Sequence, residues 1–138
     1  MVKIWDKGNF IDKKIEQFTV GDDFIIDQEL VQYDCEASIA HAKMLKKIGI
    51  LSAIEEKHLI EELQKISQEH KEGKFTISIE DEDCHTAIEN RLIMSLGDTG
   101  SKIHTGRSRN DQVLVALRLY YKSSLSEISS IKIGRAHV

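Results

Sequence analysis

The sequence predicts an all-α fold, and two features of the chain lead to this prediction. None of its 138 residues is proline, whereas an average usage of about 5% would give about seven. A proline inside a helix costs about 3 kcal/mol, so its absence suits long uninterrupted helices. Four stretches also place apolar residues three or four positions apart, which is the spacing of one helix face. The length is sufficient for one domain.

The first predicted helix starts near Asp27, after an N-terminal arm over residues 1–24 that has no sustained period and one anchoring aromatic, Trp5. Gly49 predicts a left-handed cap at its end. The residues expected on its buried face are Leu30, Tyr33, Ala37, Ala40, Met44 and Ile48. This face includes small side chains, which favour close packing of helices.

A capping box at Ser52 and Glu55 predicts the start of a second helix, which ends within residues 71–74. The expected face of this helix consists of Ile54, Leu59, Leu63 and Ile66. Residues 75–79 alternate like a short strand, but no second run of this kind is available for pairing. We therefore expect residues 75–79 to be an extended connector.

A third helix is predicted over residues 83–96 and a longer fourth helix from Ser108 onward. The third has Cys84, Ile88, Leu92 and Leu96 at intervals of four, and Gly97 follows it. The Ser-x-x-acid pattern of Ser108 and Asp111 predicts the start of the fourth helix. Its apolar stripe comprises Val113, Leu117, Tyr120, Ser124 and Ile128. We expect part of this stripe to remain uncovered within the chain.

The last six residues, 133–138, do not continue this amphipathic pattern. One reverse translation of them matches a sequencing adapter in common use. We therefore expect this tail to be non-native and the true polypeptide to continue beyond Lys132.

Composition excludes several classes of function. The chain has 30% charged residues and a net charge of −4, which argues against a general binder of nucleic acid or membrane surfaces. Cys35 and Cys84 are the only cysteines, and no signal peptide or membrane-spanning run is evident. We expect reduced core thiols in a cytoplasmic protein, with a disulfide as the alternative. His41, His58 and His70 lack a second ligand at metal spacing, so no metal site is expected.

Residues 104–112 concentrate hydrogen-bonding side chains around Gly106, directly before the fourth helix. Such a helix start exposes unpaired N–H groups and the positive end of the dipole, and Arg107 and Arg109 flank it. A site for a small polyanion needs directional donors of this kind. The alternative is a capped helix start with two surface arginines.

Residues 104–113, HTGRSRNDQV, resemble a conserved region of argininosuccinate lyase, a member of the fumarase and aspartase superfamily. The resemblance continues in EDCHTAIENRLI at 82–93, ASIAHAKML at 37–45, Gly97 with Asp98, and IWDKG at 4–8. It covers nearly the whole chain up to about Lys132. It implies an N-terminal helical domain over residues 1–107 and the start of the superfamily's long-helix central bundle over residues 108–132.

The resemblance implies the non-hydrolytic elimination of argininosuccinate to arginine and fumarate, as in arginine biosynthesis and the urea cycle. It implies no cofactor, and a homotetramer whose active sites combine three conserved regions from three subunits. The regions with the Thr-His pair and with the serine proposed as general base are absent here. We therefore expect no catalytic residue in this fragment, and no activity from it alone.

The substrate-binding residues that the resemblance implies are Ser108, Arg109, Asn110, Asp83, His85 and Asp27. Those of the fourth helix would hold the fumarate half, while Asp83 and His85 would lie near the guanidinium half, with the carboxylate orienting the imidazole. Alternatively, Asp83 only caps the third helix and His85 lies on its exposed side. The family's usual serine four positions before Asp27 is Asp23 here, which departs from the pattern.

Two other functions remain open at this point. One is a structural relative of the crystallin kind, which loss of Arg109 or Asn110 would favour, although both are present. The other is a non-enzymatic helical module that binds anions. The latter predicts a complete domain without an uncovered helix face.

Overall fold

The computed structural model describes residues 21–135, and within this range the chain is helical with no β-strand. The α-helices are α1 (Asp23–Ile26), α2 (Val31–Lys47), α3 (Ala53–Lys71), α4 (Cys84–Leu96), α5 (Asp98–Ser101) and α6 (Arg109–Arg135). Two short 3₁₀ helices, Asp27–Leu30 and Lys102–His104, precede α2 and follow α5. The predicted all-α fold class is confirmed. The expected arm lies mostly outside the described residues, as do Trp5 and residues 4–8, and α1 already begins at Asp23.

The predicted end of α2 and the predicted start of α3 are confirmed by their hydrogen bonds. Gly49, at φ +83°, follows α2, and the N–H of Ile50 donates to the carbonyl of Leu45 at 2.9 Å. This is the Schellman arrangement that satisfies the last carbonyls of a helix. At the start of α3, the Glu55 N–H donates to Ser52 Oγ at 3.2 Å, and the Ser52 N–H donates to Glu55 Oε2 at 2.8 Å.

The core lies between α2, α3 and α4, with the first turns of α6 closing one side. Its largest fully buried apolar side chains are Leu45, Leu59, Leu63, Ile66, Ile88, Leu92 and Ile103. Phe75 and Ile77 from the connector are also buried, which explains why residues 75–79 alternate without forming a strand. Cys35 and Cys84 are buried free thiols, as predicted.

The predicted buried face holds for Leu30, which is buried, but is wrong toward the end of α2. Met44 and Ile48 are 39% and 60% exposed, and Ala40 is exposed as well. The residues of α2 that are buried are Val31, Asp34, Cys35, Ser38, Ala42 and Leu45. The actual face therefore includes a carboxylate and a hydroxyl, which hydrophobic spacing cannot place inside a core. In α3, Ile54 is likewise exposed, whereas the other three residues of the predicted face are buried.

Only the first part of α6 packs against the rest of the described chain. Ala116 is fully buried, and the ring of Tyr120 meets that of Tyr33 edge to face at 5.7 Å between centroids. Further along, apolar residues such as Leu125 and Ile128 are more than half exposed. The helix backbone continues through Arg135, and residues 136–138 lie outside the described range. None of the helices within residues 21–135 has the combination of length and hydropathy needed to cross a membrane.

Candidate functional site

Ser108 caps the start of α6, as its spacing to Asp111 predicts. The Asp111 N–H donates to Ser108 Oγ at 3.2 Å, and Asp111 Oδ2 accepts from the Ser108 hydroxyl at 2.8 Å and from its N–H at 3.1 Å. The hydroxyl of Ser108 lowers the pKa of Asp111 through this hydrogen bond. Gly106 makes the preceding turn at φ +68°, a conformation that L side chains rarely adopt. We call residues 104–112 the mouth of α6.

Arg107 is not a surface arginine. Its Nη1 donates to Ser38 Oγ of α2 at 3.1 Å, and burial lowers the pKa of its guanidinium. A partly buried guanidinium loses some of its hydration, so its shielded N–H groups need partners. The alternative of two freely exposed arginines is therefore wrong for Arg107.

Arg109 connects the mouth of α6 to the first turns of α4. Its Nη2 lies 3.3 Å from Thr86 Oγ1 and 3.5 Å from Glu89 Oε2, and its Nη1 lies 3.9 Å from Asp83 Oδ1. The side chain is 29% exposed, so the guanidinium is partly shielded from solvent. The structure thus brings the predicted residues Arg109 and Asp83 together, with Thr86 and Glu89 as neighbours that the sequence did not indicate.

Asp83 also caps α4, since its Oδ1 accepts from the Thr86 N–H at 2.6 Å. A carboxylate in this position pairs with the unsatisfied donors and positive dipole end of a helix. The capping role proposed as the alternative for Asp83 is confirmed. It does not conflict with proximity to Arg109, because the same carboxylate faces both.

His85 is buried, so the alternative that placed it on the exposed side of its helix is wrong. Its Nδ1–H donates to Asp34 Oδ2 at 3.0 Å. The prediction that Asp83 is the orienting carboxylate is also wrong, because this carboxylate is engaged at the start of α4. Asp34 lies on α2, and no local sequence signal connects it to α4. Its position four residues after Leu30 and four before Ser38 was the available clue.

Asp27 lies beside the start of α4, where its Oδ2 accepts from the Cys84 N–H at 3.4 Å. Burial raises the pKa of Asp27, while this hydrogen bond and the neighbouring His85 oppose the shift. One potential ligand atom from each of Asp27, Cys84 and His85 lies within 4.8 Å of the others. Burial raises the pKa of the Cys84 thiol well above its usual range, which disfavours the thiolate that a metal requires. The absence of a metal stays a prediction.

Asn110, the remaining predicted site residue, is exposed on the first turn of α6, and Asp23 is exposed on α1. The structure does not bring Asn110 into the network formed by Arg109, Asp83 and His85. The loop before the helix is held by His41, whose Nε2–H donates to the carbonyl of Thr105 at 3.0 Å. Burial lowers the pKa of His41. His41 therefore has a structural role at the mouth that its helical spacing did not suggest.

Unpaired buried polar atoms concentrate at this place. Within the described part of the chain, the buried side-chain atoms with no hydrogen-bond partner are His85 Nε2, His104 Nδ1, Arg107 Nε, Arg109 Nη1 and Gln112 Oε1. Most buried polar groups in proteins are paired, so a group of exceptions requires an explanation. Because it includes two guanidinium donors at a helix start, this arrangement can donate additional hydrogen bonds to an anionic ligand.

Comparison with known proteins identifies the family of the chain. A family model described as lyase matches residues 7–133. The chain is 54% identical over 129 residues to the argininosuccinate lyase of Thermotoga neapolitana, covering 94% of this chain and 32% of the relative. It is 46% identical over 128 residues to that of Sorangium cellulosum, and 47% identical over 135 residues to that of a Xylella fastidiosa strain. These matches cover 93% and 97% of this chain and 30% of each relative.

The chain thus spans about a third of the length of the curated relatives it matches. The match with the family model extends over the connector, α4 and the mouth of α6, where the site residues lie. The resemblance that residues 104–113 indicated is therefore confirmed, and the chain belongs to the lyase family, in which it is similar to argininosuccinate lyases.

Proposed function

We propose that this chain forms part of an argininosuccinate lyase, which splits argininosuccinate into arginine and fumarate in arginine biosynthesis. The names of the curated relatives support the substrate and the reaction. The observation that carries the proposal is the group of unpaired buried polar atoms at the mouth of α6 and on His85. A dicarboxylate ligand would supply the acceptors that Arg107 Nε and Arg109 Nη1 lack.

The chemistry explains why donors are needed here. Elimination removes a proton from the carbon beside one succinyl carboxylate, and the bond between the neighbouring carbon and the guanidinium nitrogen breaks. The electron pair of the lost C–H bond becomes the double bond of fumarate, while the departing nitrogen keeps the pair of the broken C–N bond and takes up a proton. Negative charge therefore builds up on the adjacent carboxylate. Donors aimed at such charge contribute about 2.7–4 kcal/mol each in oxyanion-type sites.

In this proposal Ser108, Arg109 and Asn110 bind the fumarate half. The fixed planar geometry of a guanidinium suits a carboxylate, so Arg109 contributes the most directional contacts. Asp83 and Glu89 beside it compete for the same donors and hold it in place before the substrate arrives. Ser108 already bonds Asp111 through its side chain, so its contribution would come with the first free N–H groups of α6.

Asp27, Asp83 and His85 would face the guanidinium half of the substrate. Two carboxylates there complement a cationic guanidinium, which pairs with oxygen acceptors. Asp27 is partly desolvated, which raises its pKa, and a guanidinium beside it would compensate the cost of keeping it ionised. This division of the site, with cations at α6 and acids at the first 3₁₀ helix and the start of α4, matches a substrate that is anionic at one end and cationic at the other.

The rest of the site would come from outside this chain. We propose that the Thr-His pair and the general base belong to other segments of a cytoplasmic homotetramer. In that assembly residues 1–107 form the first domain, residues 108–132 begin a central bundle, and residues 133–138 are not native. The exposed apolar residues Leu125, Ile128 and Ile131 on α6 support the bundle, because an apolar face of this kind is normally covered.

The test is a chimera in which residues 1–132 replace the matching region of the Thermotoga neapolitana relative, assayed for fumarate release. Arg109→Leu should lower turnover by about 10²–10³-fold, the usual effect of losing one oxyanion-type donor. Arg109→Lys should retain part of the activity, because it keeps the charge but loses the planar geometry. Lys57→Leu is the control, since this exposed cation forms its ion pair with Glu61 on the same helix.

A folded tetrameric chimera without fumarate release would contradict the proposed function. If it retained binding of fumarate, the non-enzymatic anion-binding module would be favoured instead. Normal turnover of the Arg109→Leu variant would remove this residue from the site while leaving the lyase assignment intact. Circular dichroism of each variant separates loss of folding from loss of activity.

A further inference from the structure

Asp34 lies at the centre of a buried polar cluster that joins three helices. His85 of α4 donates to its Oδ2 at 3.0 Å, and Gln112 Nε2 of α6 lies 3.1 Å from Oδ1 and 2.9 Å from Oδ2. The Ser38 hydroxyl, one turn along α2, donates to Oδ1 at 3.2 Å. Asp34, Ser38, His85 and Gln112 are each at least 97% buried. We call these four residues the Asp34 cluster.

This environment fixes the Asp34 carboxylate in one orientation. An ionised carboxylate removed from water is costly unless it is well hydrogen-bonded, and here both oxygens have partners on separate elements. Moving the carboxylate would break contacts to α4 and α6 together. A carboxylate oxygen acts as the acceptor in this contact, so the nitrogen of His85 that faces it is the donor and carries the proton.

This constraint determines which nitrogen of His85 is unprotonated in the neutral ring. With Nδ1 as the donor to Asp34, a neutral ring has its lone pair on Nε2. Nε2 is buried and has no hydrogen-bond partner. A ligand nitrogen of His85 also lies within 4.8 Å of Asp27 and Cys84. The ring is therefore held on one side and unpaired on the other, beside a residue of the proposed substrate site.

We propose that Asp34 is a positioning residue, which holds His85 in the Nδ1–H tautomer with Nε2 free to accept a proton or a hydrogen bond from the substrate's guanidinium half. This inference rests on the proposed function, in which His85 contacts the substrate. Through Gln112, the same carboxylate also sets the position of α6 relative to α4. Asp34 thus connects the two halves of the proposed site without touching the substrate itself.

The hydrogen bond between His85 and Asp34 is tested by nitrogen-15 NMR of the imidazole groups in this 138-residue chain. The spectra are recorded at a pH high enough for the histidine rings to be neutral. Loss of a signal in His85→Gln assigns the resonance of His85. We expect a pyrrole-type shift for Nδ1 and a pyridine-type shift for Nε2. Asp34→Asn should abolish this preference, because its amide can also donate to the ring. Ser38→Ala is the control, since it removes a different bond to Asp34 and should keep the tautomer.

An Nε2–H tautomer in the unsubstituted chain would overturn the proposal, and so would an Asp34→Asn spectrum with the same tautomer. The first of these readings needs no variant, so it remains decisive if Asp34→Asn fails to fold. A residue that only stabilised the core would lower the unfolding midpoint without changing the tautomer of His85 in the molecules that remain folded.

Kinetics in the chimera provide the second readout. Asp34→Asn should lower kcat by about 10–10²-fold, as loss of a hydrogen bond that orients a functional histidine does in metal sites. KM should change much less, because Asp34 does not contact the substrate, and the exposed control Lys57→Leu should leave kcat unchanged. An active chimera whose kcat is insensitive to Asp34→Asn would refute the positioning role alone. A chimera without activity would refute the proposed function, and the tautomer measurement would still test the link between Asp34 and His85.

Discussion

Gly100 is the point at which α5 crosses the backbone of α4, and substituting alanine there should destabilise the fold. An added Cβ would lie 2.3 Å from the carbonyl oxygen of Leu92, 2.4 Å from its carbonyl carbon and 2.7 Å from the nitrogen of Ile93. All three are backbone atoms, which cannot turn away as a side chain can. Because favourable contacts between heavy atoms begin near 3.5 Å, α5 would have to shift outward by about 1 Å.

The expected cost of Gly100→Ala follows from this displacement. Overpacking of a tight core typically costs 1–3 kcal/mol, and the better helix propensity of alanine returns at most about 1 kcal/mol. We expect a net loss of about 1–2 kcal/mol in the free energy of unfolding. With the usual dependence of stability on urea, this lowers the unfolding midpoint by about 0.5–1 M.

Urea unfolding followed by far-UV circular dichroism measures this shift. Ser101→Ala is the matched control, because it makes an alanine at the next position of α5, where the side chain is exposed. Equal midpoints for Gly100→Ala and the unsubstituted chain would show that α5 does not pack on α4 as described. Since α5 leads through the second 3₁₀ helix to the mouth of α6, the chimera carrying Gly100→Ala should also lose activity.

Two further predictions concern stability and pH. A hydrogen bond from Lys102, assisted by Ser52, lowers the pKa of Glu55 from 4.5 to about 2. The ionised Glu55 carboxylate therefore stabilises the fold above pH 4.5. This contribution is lost as pH falls toward 2. The stability difference between the unsubstituted chain and Glu55→Gln, measured by urea unfolding, should shrink over that interval, and a constant difference would contradict it. Burial raises the pKa of Asp27 above 3.8, so Asp27→Asn should raise Tm at pH 7, by an amount that decreases as pH falls through the raised pKa toward 3.8. A lower Tm at pH 7 would show that Asp27 is held mainly by attractive contacts.

The capped ends of α2, α3 and α6 were predictable because the signals are local. A capping box needs only Ser52 and Glu55, three residues apart, and the Schellman end of α2 needs only Gly49 and its neighbours. The same holds at the mouth of α6, where Ser108 and Asp111 pair within one turn. Such contacts depend on short separations along the chain, so residue types at fixed spacing are sufficient to predict them.

The partners of the predicted site residues were not predictable in this way. Arg109 meets Thr86 and Glu89, and His85 meets Asp34, which lies 51 positions earlier. No periodic signal connects residues on different helices, since each pair forms only when the packing of α2, α4 and α6 brings it together. The motif therefore predicted which side chains matter, but not which of them hold each other.

By itself, the sequence determined that this chain is helical, where the capped ends at Gly49, Ser52 and Ser108 lie, and which family it resembles. Only the tertiary structure decided which face of α2 is buried. Hydrophobic spacing favoured the face with Met44 and Ile48, yet the core contains Asp34 and Ser38. A buried carboxylate is unfavourable until a histidine and a glutamine from two other helices hydrogen-bond to it. That compensation exists only in the folded protein, so no single stretch of residues could reveal it.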